Sequence, residues 1–422
     1  MTEPQAPVAL YIHLPFCVAR CPYCDFVVYA GSDARGPRAR TGRLYDAIAR
    51  ELELRAGEGR RLAVAPLPAA APRDGDAPLG PGERRRPLAS VYFGGGTPSL
   101  APVAVVERLM RIASDRFGIE NGAEITLEMN PGPAERGDLA GFARAGVNRV
   151  SIGAQSLDPA ELRRLGRRHS PEDVASAVDE TRAVGIGSVN IDLLYDLPGQ
   201  SVANWERTLR AALDLEPDHL SLYALTLDDP EAEGLAGDAG DHLPTPSGAR
   251  RWRDLVRREQ DDDRAAAQYR LAHELLGSLG WRPYEISNWS RPGHESRHNL
   301  AYWRRIPYEA VGPGAHAFDG ITRRWNAAAM MPYVAALEAS RLPPGGSEVP
   351  DHRAAAAEEA ILALRLDTGI AAATAIDEPL TGVVAWGLDN GLLERVEIGG
   401  EPRIRLTVDG RLLSNELFAR LV

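Results

Sequence analysis

The chain has 422 residues, with 48 Lys+Arg against 59 Asp+Glu, a formal net charge of −11 and three cysteines. At about 150 residues per domain, this length predicts two or three domains, and 44% hydrophobic residues exclude a mainly disordered chain. All 48 basic side chains are arginine, which excludes lysine Schiff-base enzymes and Walker-type phosphate loops, and the acidic balance argues against a nucleic-acid partner.

The first residues, MTEPQAPVALYIHLPF, lack a basic segment followed by a long apolar run, so they do not indicate a secretion signal. No stretch approaches the roughly 18 uninterrupted apolar residues of a membrane span. We therefore expect a soluble, cytoplasmic protein that is a monomer or a homodimer.

Strand and helix patterns alternate over the first part of the chain, which is typical of a parallel α/β fold. Short apolar or β-branched runs predict six strands, at Val8–His13, Ser90–Phe93, Glu124–Met129, Asn148–Gly153, Ser188–Leu194 and His219–Leu225. Apolar periodicity predicts helices between them, at Leu44–Leu54, Val103–Phe117, Glu135–Ala145, Val174–Val184 and Trp205–Leu213. N-caps followed by proline mark two helix starts, at Asp158 and Ser170. The pattern fits either a partial (β/α)6 barrel or an open doubly wound sheet.

Two segments have the composition of insertions. Residues 57–87 contain six Pro and five Gly among 31 residues, which predicts a surface loop, and residues 228–263 are acidic and interrupted by Gly and Pro. The chain ends with helices and two short strands, which predict a small α+β, winged-helix-like terminal domain. The predicted domains are residues 1–227, residues 228–349 and residues 350–422.

All three cysteines fall within eight residues, at Cys17, Cys21 and Cys24 in a C-x3-C-x2-C arrangement. One interpretation is a zinc site completed by His13 or Asp25, although closed zinc sites usually use two separated ligand pairs. A second is a set of free structural thiols. The third, which the clustering of soft ligands favours, is an iron–sulfur cubane held at three corners, with one iron left open to a small molecule.

The cysteine spacing directly after a strand, with Tyr23 before the last cysteine, resembles the signature of radical S-adenosylmethionine (SAM) proteins. The resemblance implies a [4Fe–4S] cluster whose open iron is chelated by the amino and carboxylate groups of SAM. It further implies cleavage of SAM to methionine and a 5′-deoxyadenosyl radical by an electron from the cluster. It also favours the partial (β/α)6 barrel over the doubly wound sheet.

Polar residues and glycines end several of the predicted strands, where a barrel would gather them into one mouth. The run Phe93–Pro98, FGGGTP, resembles the GGGTP motif that binds the methionine amino group of SAM. Each polar residue taken alone also fits a helix cap, a salt bridge or a buried structural contact. By resemblance, the residues expected around SAM are Tyr11, Tyr23, Gly95, Gly96, Thr97, Glu128, Gln155, Arg167 and Asp192.

Longer stretches, including VSIGAQSLD, DLLYDLPGQ and YEISNW, resemble the family shared by oxygen-independent coproporphyrinogen III dehydrogenase and its heme chaperone branch, HemW. Two features favour the chaperone branch. Phe26 stands where the dehydrogenase has a fourth cysteine, and the long N-terminal extension of the dehydrogenase has no counterpart before the first strand. The resemblance implies that heme is delivered to an acceptor apo-hemoprotein and that an electron donor serves the cluster. The alternatives are oxidative decarboxylation of coproporphyrinogen III and a radical reaction on another substrate.

The segment HNLAYW matches the HNxxYW motif associated with that branch and with heme binding. His298 is therefore a candidate ligand of heme iron, and Tyr302 and Trp303 would give the porphyrin a flat apolar surface. The alternative is a structural histidine with local hydrogen bonds, as most single histidines are. His294 and His316 lie near the motif in sequence and are further candidates.

Overall fold

Six parallel strands, separated by helices, form the core of the protein. The computed structural model describes residues 7–33, 40–58, 86–227, 230, 233–237, 239–376 and 379–422. The strands are β1 (Ala9–Leu14), β2 (Leu88–Gly95), β3 (Ile119–Met129), β4 (Arg149–Gln155), β5 (Ser188–Tyr195) and β6 (His219–Ala224). The helices are α1 (Thr41–Glu58), α2 (Val103–Phe117), α3 (Leu139–Arg144), α4 (Pro159–Arg164), α5 (Pro171–Ala183) and α6 (Val202–Leu213).

The strands pair in chain order, from β1 to β6, and every pair between them is parallel. A doubly wound sheet would instead reverse its strand order at a switch point. On their outer sides β1 and β6 pair with strands outside this row and not with each other, so the six strands do not close into a complete barrel. These observations confirm the predicted partial (β/α)6 barrel and all six of its predicted strands.

The sheet continues beyond both ends of this row. The elements of this part are α7 (Ser247–Val256), α8 (Asp262–Ser278), β7 (Arg282–Pro283), β8 (Asn288–Ser290), α9 (Arg297–Trp303), β9 (Tyr308–Val311), β10 (His316–Phe318), β11 (Arg323–Asn326), α10 (Met330–Glu338) and β12 (Gly345–Glu348). β8 pairs antiparallel with β6, and β9 pairs parallel with β1 and leads through β10 and β11 to β12.

The last part of the chain packs around its own hydrophobic core. Its strands form a small antiparallel sheet in the order β13-β15-β14, flanked by helices. The elements are α11 (His352–Arg365), β13 (Ile370–Ala371), α12 (Leu380–Asp389), β14 (Leu393–Ile398), β15 (Glu401–Leu406), α13 (Val408–Leu412) and α14 (Ser414–Phe418). The two strands expected here are confirmed, whereas the winged-helix assignment and the domain boundaries stay predictions.

The local signals for helix starts agree with the structure. The Asp158 side chain caps α4, and Ser170 forms a capping box with Asp173 at the start of α5. The helix expected from residue 135 is shorter, because the Asp138 carboxylate accepts from Gly141 N and starts α3 at Leu139. Most of the predicted insertion at residues 57–87 lies outside the described residues. Within the described ranges, no helix is both long and apolar enough to cross a membrane.

A buried carboxylate ties α1 to the added part of the sheet. Glu51 is fully buried and accepts hydrogen bonds from Gly312 N (2.9 Å), Asn326 Nδ2 (2.8 Å) and Tyr333 Oη (2.6 Å). The guanidinium of Arg55 lies 3.3 Å from the same carboxylate. Three groups from other segments and one from α1 itself therefore depend on this side chain.

We expect Glu51→Ala to lower the free energy of unfolding by roughly 3–5 kcal/mol, because it removes the carboxylate that faces a mostly buried guanidinium and accepts from three further donors. Glu53→Ala in the same helix removes only a partly exposed pair with Arg50 and should cost less than about 1 kcal/mol. Urea unfolding followed by circular dichroism measures both. Equal midpoints for the two variants would contradict this role of Glu51.

Candidate functional site

A cavity of about 790 Å³ opens among the carboxyl ends of the parallel strands and the loop after β1. In parallel α/β folds this end of the sheet is where ligands bind. The predicted site residues that line it are Cys17, Cys21, Cys24, Tyr11, Tyr23, Gly95, Gly96, Glu128, Gln155, Arg167, Asp192, His298 and Tyr302. The structure therefore brings these separate sequence signals together in one place.

The cysteine loop, residues 15–29, follows β1, and backbone hydrogen bonds within the loop join its two ends. Cys17 N donates to Tyr29 O (3.0 Å), and Cys24 N donates to Cys21 O (3.2 Å). Thr97 does not line the cavity; it is buried beside the loop, and its Oγ1 lies 3.4 Å from Cys17 Sγ.

One hydrogen-bonded path links two of the sulfur atoms. Arg167 Nη1 donates to Cys21 Sγ (3.5 Å), and its Nη2 donates to Asn130 Oδ1 (2.6 Å). Asn130 Nδ2 in turn donates to Thr97 Oγ1 (3.0 Å), which leaves the threonine hydroxyl proton for Cys17 Sγ. The Nε of Arg167 is buried without a hydrogen-bond partner, an uncommon condition that suits a ligand acceptor.

Arg253 of α7 also holds the cysteine loop. Its guanidinium donates to Pro22 O (3.0 Å), to Cys24 O (3.1 Å) and to the Asp25 carboxylate (2.8 Å), and the residue is only 3% exposed. Arginine suits this position because its planar group donates in several directions at once. The loop is therefore fixed by a residue of the segment predicted as an acidic insertion.

Burial raises the pKa of the Cys17 thiol to about 11 and that of the Cys24 thiol to about 12. Both thiols are therefore protonated at neutral pH in the absence of a metal. Because thiolates are the metal-binding form, loading of the site must release these protons.

The zinc interpretation finds little support in the geometry. Among the described residues, no three His, Cys, Asp or Glu side chains form a group that could hold one metal ion. His13 Nε2 donates to Val27 O (2.8 Å), and its Nδ1 lies 3.0 Å from Tyr11 Oη, so both ring nitrogens are occupied. Asp25 is paired with Arg253. In a cubane cluster each thiolate binds a different iron atom, so the three sulfur atoms do not need to surround one metal ion as they would at a zinc site.

The glycines of the FGGGTP run allow other parts of the protein to pack closely against the end of β2. A Cβ at Gly95 would lie 2.2 Å from the His13 ring, and the residue has a φ of +107°. A Cβ at Gly96 would lie 2.7 Å from the Pro15 backbone, at the start of the cysteine loop. These glycines therefore let the end of β2 pack against β1 and the loop that follows it. This packing requires glycine here in addition to the close approach of a ligand that the sequence predicted.

Three carboxylates line the cavity: Asp25, which is paired with Arg253, and Glu128 and Asp192 on strands β3 and β5. Glu128 accepts from Tyr92 Oη (2.8 Å) and from Gly95 N (2.9 Å). Although these two hydrogen bonds lower its pKa, burial has the larger effect and raises the pKa to about 7. Asp192 accepts from Ser151 Oγ (3.0 Å) and Asn190 Nδ2 (2.7 Å), and burial also raises its pKa. Both carboxyl groups can accept from an ammonium or a hydroxyl of a ligand.

Gln155 lies at the end of β4, where the pairing with β5 shifts by one residue after Gly153. Its φ of 68° is in the left-handed region that residues other than glycine seldom adopt. Such local strain is concentrated at functional sites. Gln155 lines the cavity next to this register shift.

The HNxxYW segment forms the aromatic end of the same cavity. His298 is 1% exposed, with its Nδ1 3.0 Å from Ser90 Oγ and its Nε2 2.8 Å from Tyr302 Oη. Its ring centroid lies 5.1 Å from that of Tyr92, and burial lowers its pKa to about 3, so the ring is neutral. Trp303 does not line the cavity; its ring lies under the guanidinium of Arg365, 4.4 Å away.

The two other candidate histidines lie elsewhere. His294 Nδ1 contacts Ser188 Oγ at 3.2 Å, and its Nε2 lies 3.9 Å from the Asp218 carboxylate. His316 is exposed at the start of β10 and contacts Asp241.

Sequence reasoning missed several residues of the site. Asn130 follows β3 two residues after Glu128, so the strand-end signal that found Glu128 was available for it. Ser151 and Asn190 are polar residues inside otherwise buried strands, which is also a recognisable signal. Arg253 has no such signal, because it lies in a polar helix 228 residues from Asp25.

We expect Glu128→Gln to flatten the pH dependence of stability. The pKa of Glu128 is raised in the folded chain, so its contribution to stability is complete below about pH 4.5 and is lost as the pH rises through about 7. The loss is up to about 3 kcal/mol, because one pKa unit corresponds to about 1.4 kcal/mol. Urea unfolding of the metal-free protein across this range measures it, with the exposed Glu107→Gln as control. A parallel decline in wild type and Glu128→Gln would contradict the assignment.

Comparisons with known proteins agree with this architecture. Residues 82–212 match the model of the radical SAM superfamily. The heme chaperone HemW of Mycobacterium tuberculosis (strain ATCC 25618 / H37Rv) is 35% identical over 422 residues, which cover 99% of this chain and 96% of the relative. The heme chaperone HemW of Escherichia coli (strain K12) is 34% identical over 74% of this chain and 70% of its own length.

The structure of coproporphyrinogen III oxidase (HemN) from Escherichia coli, described as a radical SAM enzyme, has a TM-score of 0.75 and 20% identity. The match covers 99% of this chain and 90% of that one, which shows a shared fold. Together with the full-length match to the Mycobacterium relative, these findings identify the family. The chain belongs to the heme chaperone HemW family of the radical SAM superfamily.

Proposed function

We propose that this protein is a heme chaperone, which binds heme and delivers it to an acceptor hemoprotein. In this proposal it also carries a [4Fe–4S] cluster and SAM in the cavity at the strand ends. The single observation that carries the proposal is the full-length similarity to HemW at 35% identity, combined with three cysteines that line the cavity. An acceptor hemoprotein and an electron donor are its expected partners.

The donor set fits a cubane cluster with one open iron. Cys17, Cys21 and Cys24 supply three soft ligands on one loop, and the chain has no other cysteine. Thr97 and Arg167 donate hydrogen bonds to two of the sulfurs, the kind of contact that tunes the potential of a cluster. When bound, such a cluster supplies electrons and an iron site for SAM. The chain's part is to fix the sulfurs and exclude water.

The other cavity residues fit the polar groups of SAM. Glu128 and Asp192 can accept hydrogen bonds from the ammonium and the ribose hydroxyls of SAM. The buried Nε of Arg167, which has no hydrogen-bond partner, can donate to the carboxylate of SAM. In this proposal Tyr11, Tyr23, Gly95, Gly96 and Gln155 complete the wall around SAM, and Thr97 supports it from behind.

The heme ligand is a separate question. His298 and Tyr302 line the cavity, but for His298 to ligate iron its ring would have to give up a hydrogen bond to Ser90 or Tyr302. The assignment of His298, Tyr302 and Trp303 to heme therefore stays a prediction from the motif.

We expect Cys21→Ser to abolish cluster retention, because no other thiol is available to replace the lost ligand. Iron analysis and absorption spectra of anaerobically reconstituted protein should fall from about four irons per chain to nearly none. Phe26→Ser, an exposed position in the same loop, introduces the same side chain without removing a ligand and should retain the cluster. Full cluster content in Cys21→Ser would exclude the proposed ligand set.

Delivery and catalysis give opposite results with the same reconstituted protein. A chaperone should bind heme stoichiometrically and transfer it to an apo-hemoprotein, which absorption difference spectra follow. With SAM, a reductant and coproporphyrinogen III, it should form no protoporphyrinogen at catalytic turnover. Turnover without heme transfer would overturn the proposal in favour of the dehydrogenase.

A further inference from the structure

Among the described residues, three arginines line the cavity, and the side chain of one of them makes no hydrogen bond. They are Arg20, Arg149 and Arg167. Both Nη atoms of Arg167 are bonded to the protein, and Arg20 Nη1 donates to Pro244 O (3.4 Å). The side chain of Arg149, the first residue of β4, donates to no residue that the structure describes. Its guanidinium donors are therefore unused in the folded chain.

Arg149 is a buried cation without a hydrogen-bonded anion. Its side chain is only 4% exposed, and its Nε is buried without a hydrogen-bond partner. Burying a guanidinium in this condition is costly, so such groups are normally paired and hydrogen-bonded. The one carboxylate found near it in the described part of the chain is that of Glu124, whose Oε2 lies 4.0 Å from Nε, beyond hydrogen-bond distance. An anion bound in the cavity would supply the missing acceptor.

The Glu124 carboxylate is already used by α9, the helix that carries the HNxxYW motif. It accepts from Ser296 Oγ (3.3 Å), from Arg297 N (2.9 Å) and from His298 N (3.1 Å). These bonds satisfy donors at the start of the motif helix and leave those of Arg149 without an acceptor.

Arg149 lies at the aromatic end of the cavity, close to the motif histidine. Burial lowers the pKa of His298, and the positive charge of Arg149 lowers it further. Three tyrosine rings that also line the cavity lie around His298, with centroids 4.9 Å (Tyr302), 5.1 Å (Tyr92) and 6.3 Å (Tyr11) from that of the imidazole. This end of the cavity therefore offers aromatic surface next to one unpaired guanidinium.

A flat ligand that carries a carboxylate matches this combination of groups. Aromatic rings pack against an apolar macrocycle, and the planar fork of an arginine can bind a carboxylate with two parallel hydrogen bonds. Heme has both parts, because propionate side chains extend from its porphyrin ring. SAM also has a carboxylate, but the unused Nε of Arg167 is available for it beside the cysteine loop.

We propose that Arg149 binds a propionate of heme through its unused guanidinium donors, while the macrocycle packs against the tyrosine rings of the cavity. This inference rests on the proposed heme-binding function. It leaves His298 of the HNxxYW motif as the candidate iron ligand and adds a contact for the opposite chemistry of the same molecule, its negative charge.

Anaerobic titration of the full-length, cluster-loaded protein with heme and with heme dimethyl ester tests the contact. Wild type should bind heme at least about 10-fold more tightly than the ester, because esterification removes the charged acceptor. Arg149→Gln should lose most of this preference, and Arg149→Lys, which keeps the charge, should retain part of it. Arg163→Gln replaces an exposed arginine of α4 outside the cavity and should behave as wild type. Circular dichroism and cluster absorbance verify that each variant is folded.

Equal binding of heme and its dimethyl ester by the wild type, a measurement that needs no variant, would overturn the inference and leave the proposed function standing. An unchanged preference in Arg149→Gln would overturn it as well. If Arg149→Gln instead weakened SAM binding and kept the preference for heme, the contact would belong to the carboxylate of SAM. A wild-type protein that binds neither porphyrin would refute the proposed function itself.

Discussion

The hydrogen bonds that hold the cysteine loop are the contacts on which the rest of the site depends. The loop has little regular structure of its own, and its sulfur atoms keep their places through Thr97, Arg167 and Arg253. These residues follow β2, follow α4 and lie in α7, so parts of the chain that are far apart in sequence meet at one short segment. Hydrogen bonds to cysteine sulfurs also tune the potential of an iron–sulfur cluster bound to such a loop.

The cavity combines this polar end with an aromatic end. Polar side chains of β4 and β5 donate hydrogen bonds to Asp192, and Tyr92 donates one to Glu128. These bonds stabilise the two buried carboxyl groups in a chain that contains no lysine. At the other end, the HNxxYW histidine is neutral and bonded at both ring nitrogens. In this structure the motif histidine contributes to the wall of the cavity.

Much of the barrel could be predicted from the sequence, because its strands are short apolar runs and its helix starts carry caps such as Asp158 and Ser170. The cavity residues were also predictable, since Cys17, Glu128 and their neighbours lie at strand ends. Local sequence patterns could not predict the contacts between residues that are distant in the sequence. Arg253 resembles any polar helical residue until the fold brings it to Asp25, and the contact of Asp241 with His316 joins residues 75 positions apart.

The contact between Arg253 and Asp25 also constrains the order of assembly. It closes a loop of 228 residues, so it forms only after the six strands of the barrel and α7 have left the ribosome. Until then the cysteine segment lacks one of its anchors, and its thiols are open to oxidation or to stray metal ions. The anchor that Arg253 provides to the cysteine loop is thus available only after more than half of the chain has been synthesised.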